Sequence, residues 1–90
     1  MYMEKLAPIE QYTVDMVEKL RRANNLTMEQ LGKILGVSKS FVGNATNPND
    51  SSKYNLKHIN ILCDHFDISP QDFLPEYPMK TVVKSDCMEK

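Results

Sequence analysis

The stretch from residue 27 to residue 47, TMEQLGKILGVSKSFVGNATN, decides how this chain folds. Thr27 can cap a helix, and Gln30, three residues on, can reach back to complete a capping box. Leu31, Ile34 and Leu35 then recur at helical spacing. Gly36 supplies the positive φ that ends a helix, and Val37 can drop into a core just after it. Ser38 is a fresh N-cap for a second helix, which holds Val42 and Ala45 on one side. The pattern predicts two short helices joined by one tight turn, the layout of a helix-turn-helix.

Outward from this motif, Pro8 suits the first turn of a helix that carries Ile9, Tyr12, Val17 and Leu20 on one face through Arg22. Asp15 with Lys19, and Glu18 with Arg22, stand four apart with the acid first, the arrangement of a solvated face. Asn24 and Asn25 break the pattern. Beyond the motif, residues 47–52 (NPNDSS) form a turn-rich loop. Asn55 can cap a further helix whose inward stripe is Leu56, Ile59, Leu62, Cys63 and Phe66. Ser69, Pro70 and Asp72 start a short last helix, with Phe73 and Leu74 closing the bottom of the core. These elements make an all-α, compact five-helix domain over residues 8–75. Residues 1–7 are an N-terminal extension. Residues 76–90 are a tail, flexible or serving as a short dimerisation arm, in which Thr81-Val82-Val83 has the makings of a short strand.

Composition narrows the function. Ninety residues with 41 % hydrophobic side chains make one small domain, and no apolar run reaches membrane-spanning length. The N-terminal MYMEKLAP mixes acid and base without an apolar core, so no signal peptide is expected and the location is read as cytoplasmic. Cys63 and Cys87, one in a helical pattern and one in a polar tail, are not expected to pair. The net charge of −1 is low for a nucleic-acid binder. Its distribution is more favourable: eight Lys/Arg against seven Asp/Glu up to Phe66, then three against five. The excess acid therefore lies away from the motif, though no strongly basic stripe is present.

Chain features on both sides of the loop resemble the Cro/repressor-like (Xre-type) helix-turn-helix family, from about residue 17 to residue 74. Leu20-Arg21, Leu26-Thr27, Leu31, Leu35-Gly36-Val37-Ser38 and Val42 follow the family's usual run, as do Leu56, Ile59, Leu62-Cys63, Phe66 and Ile68-Ser69. The resemblance implies a lambda-repressor-like fold. It also implies that the first motif helix crosses the backbone of double-stranded DNA and the second, from Ser38 to about Thr46, enters the major groove. Members commonly act as homodimers on palindromic sites and regulate transcription, often as repressors. Met28 stands where members often carry Gln, Asn44 where Arg or Lys is frequent, and Thr46 where Glu is frequent.

By position, Lys39, Ser40, Gly43 and Asn44 correspond to the base-facing places, and helix geometry puts those four opposite Val42 and Ala45. Asn44 can pair with an adenine edge through N6 and N7, and Ser40 can donate or accept on several bases. Lys39 suits a phosphate or a guanine. Contacts to the DNA backbone are expected from Thr27, Met28, Ser38, Phe41, Ser52 and Lys53, with Ser51 and Tyr54 offering further hydroxyls. Arg21 and Lys33 read as surface charges.

Other chemistries are poorly supported. His58, Cys63, Asp64, His65 and Asp67 are close in sequence, but Cys63 belongs to the inward stripe while the two histidines lie elsewhere around the helix, and no second pair completes a ligand set. No metal or cofactor is expected. No nucleophile–base pairing or phosphate-binding glycine loop is present, so no enzyme is expected. The rival reading is an antitoxin or protein-interaction module that keeps the fold with weakened DNA contacts and binds a protein partner. Ile34 and Val82-Val83 are the candidate dimer surfaces.

Overall fold

The computed structural model describes residues 6–80, in which four α-helices and one 3₁₀ turn pack around a single core. Helix α1 spans Pro8–Ala23, α2 Met28–Leu35, α3 Lys39–Ala45 and α4 Leu56–Phe66. The fifth expected helix is only the 3₁₀ turn Pro70–Phe73. Ser69 caps it through Gln71 N–H, but Leu74 is already extended at φ −127° and ψ 148°. Leu74 precedes Pro75, whose ring disfavours helical backbone in the residue before it, so the turn cannot lengthen into an α-helix.

The helix starts follow local chemistry. Thr27 Oγ1 accepts from Gln30 N–H at 3.0 Å while Thr27 N–H donates to Gln30 Oε1 at 2.8 Å. Asn55 and His58 form the same reciprocal pair at α4, with His58 Nδ1 accepting from Asn55 N–H at 3.2 Å. Helix α1 has Pro8 in its first turn, and Glu10 Oε1 accepts from Ala7 N–H, which holds the Glu10 carboxyl below its ordinary range. Asn25 and Asp67 adopt the left-handed conformation at φ 55° and 56°, ending α1 and α4 as Gly36 ends α2.

The core is built on Val14, Val17, Leu31, Leu35, Val42, Ala45, Ile59, Leu62, Cys63 and Phe73, with Leu6 at its edge. Burial pushes the Cys63 thiol up. Three expected core positions lie elsewhere. Leu56, the first residue of α4, is 77 % exposed; Ile9 and Leu74 are also exposed. On α1 the buried face is centred on Thr13, Val14 and Val17 instead. Thr13 is polar yet buried, and its hydroxyl donates to Phe73 O at 2.9 Å, joining α1 to the 3₁₀ turn. Asp15 accepts from Gln11 Nε2, while the expected Glu18–Arg22 pair forms at 2.9 Å. Residues 81–90, with Cys87 and the Val82-Val83 pair, lie outside the described residues, as do residues 1–5.

Candidate nucleic-acid interface

The geometry of the motif is set at its turn. Gly36 closes α2 at φ 76°, and the Gly32 carbonyl accepts both the Gly36 N–H and, at 2.9 Å, the Val37 N–H. Gly32 is buried, and a Cβ there would meet Val37 O at 2.7 Å. Only a residue without a side chain lets the chain fold back this closely, which fixes where α3 starts relative to α2. Sequence reasoning missed Gly32, since a glycine inside a helical pattern reads as a small local cost rather than as a tertiary fit.

Helix α3 then has two unlike sides. Ser38 Oγ accepts from Phe41 N–H at 3.0 Å, Thr46 Oγ1 donates to Gly43 O at 2.7 Å, and Val42 and Ala45 are buried against α2 and the core. On the other side Lys39, Ser40 and Asn44 are exposed, and among the described residues none of their side chains makes an internal hydrogen bond or ion pair. These three predicted residues are thus brought together with their polar atoms uncommitted. Gly43 differs. It is half-buried, and the Met28 sulfur lies 3.8 Å from where its Cβ would be, so the thioether of α2 covers part of this helix.

The predicted backbone-contacting residues divide more sharply. Thr27 and Ser38 are exposed helix caps, and Met28 is half-buried against the core. The Phe41 N–H is held by Ser38, and its ring packs 5.8 Å from Tyr54 and 5.6 Å from His58 between α3 and α4. Tyr54 is buried, with its hydroxyl pushed up to about 12 mainly by that burial. The expectation that it offers a surface hydroxyl is therefore corrected: its ring is needed by the core. Burial, with Lys57 nearby, also holds His58 below its ordinary range. Ser52 Oγ donates to Asp50 Oδ1 at 2.7 Å, and Lys53 Nζ lies 3.3 Å from Glu10 Oε2.

Behind the motif, Arg21 is no free surface charge. Its Nε donates to Glu18 Oε1 at 2.9 Å and its Nη1 to Leu26 O at 2.7 Å, just ahead of the Thr27 cap. The guanidinium holds the Glu18 carboxyl below its ordinary range, with Arg22 adding to the effect. The end of α1 is thereby tied to the entry of α2.

Among the described residues no group of His, Cys, Asp and Glu is placed to hold a metal ion, and no helix is long and apolar enough to cross a membrane. Neither a curated protein nor a solved structure matches the chain. The family model of the Cro/C1-type HTH DNA-binding domain matches residues 16–77, well over half of the sequence and all of α2, α3 and α4. A capped helix pair, a turn closed on a buried glycine and this match agree: the chain belongs to the Cro/C1-type HTH DNA-binding domain family.

Proposed function

We propose that the protein is a cytoplasmic, homodimeric, sequence-specific regulator of transcription, acting as a repressor, with residues 8–75 as its DNA-binding unit. The observation that carries this reading is the exposed stripe of Lys39, Ser40 and Asn44, uncommitted among the described residues and opposite a buried Val42. In the major groove Ser40 and Asn44 read base edges, while Lys39 holds a phosphate. Gly43 adds no side chain to the reading and lets the helix approach the bases closely. Thr27 and Ser38 line the approach to the sugar–phosphate chain. Ser52 and Lys53 join them by exchanging their internal acceptors for a phosphate. The Lys53–Glu10 pair is solvent-accessible and such pairs contribute little, so this exchange is cheap.

A single α3 of seven residues with one lysine binds weakly, so two copies on half-sites about one helical turn apart are required. Selection from a randomised DNA pool tests the reading, and a palindromic enriched site is expected. Asn44→Ala with Ser40→Ala changes the preferred sequence. Lys39→Ala weakens binding to all sequences and lowers the slope of log affinity against log salt by about 1. Recovery of no enriched sequence at low salt would sink it. In that event the net charge of −1 favours the second reading, an antitoxin or interaction module that uses this fold to bind another protein.

A further inference from the structure

Between α1, the start of α4 and the 3₁₀ turn runs an open apolar trough of about 590 Å³. Buried Thr13, Tyr54 and Phe73 line it together with exposed Ile9 and Leu74. None of its lining residues comes from α2 or α3, so it is separate from the stripe that faces DNA in the reading above.

At one lip stands Leu56, the most exposed large apolar side chain among the described residues. Leaving a leucine in water forgoes most of its transfer free energy, and among the described residues little covers this one, which is 77 % exposed. Exposed Lys57 follows it directly. At the other end Leu74 also lines a second hollow with Asp72 and Glu76. Among the described residues none of these three charged side chains is in a salt bridge. One face therefore carries a protruding leucine beside an apolar hollow, with a base at one end and two acids at the other. A surface that matches itself in both shape and charge is what a two-fold contact between identical subunits requires.

We infer that this face is the contact between two copies of the chain. Leu56 of each copy seats in the trough of the other, between Ile9 and Leu74, and each Lys57 faces Asp72 and Glu76 across the axis. The inference rests on the dimeric reading above and names its surface, replacing Ile34, which is half-buried against the core.

Sedimentation equilibrium of the full 90-residue chain tests it, alongside DNA binding to single and paired half-sites. Leu56 is so exposed that Leu56→Gln leaves the fold intact, which a thermal melt verifies. The dimer dissociation constant is expected to rise about a hundredfold, tenfold for each leucine withdrawn. Lys57→Glu weakens the dimer and Lys57→Glu with Glu76→Lys restores it. A Leu56→Gln chain that is monomeric yet still binds a single half-site supports the contact. A wild-type dimer that depends on Leu56 but prefers no DNA sequence also supports it, and overturns the regulator reading alone. Leu56→Gln dimerising like wild type overturns this surface. So does a wild-type chain still monomeric at about 100 µM, including one whose trough takes a different protein or a small apolar compound.

Discussion

The bend between α2 and α3 and the outward stripe of α3 are neighbours in the chain, and the fold treats them in opposite ways. At the bend, Gly32 has no room for a methyl group, its carbonyl takes two N–H donors, and Gly36 holds a left-handed backbone. Along the stripe, Lys39, Ser40 and Asn44 have no internal partner among the described residues. The bend can change little without loss of the fold. The stripe can change freely, and whatever restricts its residues must come from outside the molecule. A rigid frame presenting an unconstrained set of polar groups is what allows one scaffold to read many sequences.

Substitutions separate the two regions, beginning where the effect is largest. Gly32→Ala should destabilise by about 1–3 kcal/mol, because the obstructing atom is a backbone oxygen and cannot rotate aside. A denaturant or thermal melt reads this, and a neutral result would show that the bend is less constrained than its geometry states. Glu18→Gln, in the ion pair behind the bend, should cost about 1–2 kcal/mol at neutral pH, since hydrogen bonds to charged groups exceed neutral ones. The folded Glu18 carboxyl titrates below its unfolded value, so its contribution is fully present above the ordinary carboxylate range and is lost as pH falls through the depressed folded value. Wild type and Glu18→Gln should accordingly converge in stability on acidification, and a constant gap between them would count against the pairing.

Gly43→Ala works in the other direction. A Cβ there meets only the Met28 sulfur at an ordinary 3.8 Å, so alanine should stabilise by roughly 0.5–1 kcal/mol through helix propensity. Any DNA affinity lost in that more stable variant would measure how closely the helix backbone approaches the bases. Smallest of all, Ser40→Ala and Asn44→Ala should leave stability within about 0.5 kcal/mol of wild type. A larger loss in either melt would mean that the stripe is structural after all.

The contrast also explains what could be read without coordinates. Thr27 with Gln30, Ser38, Asn55 and Ser69 are all caps as expected, because a cap is a contract between residues two or three apart. The outward placing of Lys39, Ser40 and Asn44 was legible for a similar reason, since a helical period alone separates them from Val42 and Ala45. Gly32, Arg21 and Tyr54 were not legible. Their roles depend on where Val37 O, Leu26 O and the Phe41 ring arrive in three dimensions, and no spacing within one helix encodes that. Leu56 continued the phase of its helix correctly, but periodicity says nothing about where the neighbouring elements stop. The 3₁₀ turn was over-read as a helix because Ser69 and Pro70 announce a start, while the stop sign, Pro75, acts on the residue before it.

The Thr13 hydroxyl has a consequence for how the chain is made. Its acceptor, Phe73 O, is sixty positions later, so α1, α2 and α3 are all synthesised before the group that satisfies Thr13 exists. The helix-turn-helix is thus complete in sequence early, yet α1 keeps an unclosed seam until Phe73, the last phenylalanine, arrives. A stop codon placed just upstream of Phe73 would therefore release a polypeptide with every residue of the helix-turn-helix and no clasp to hold its first helix in place.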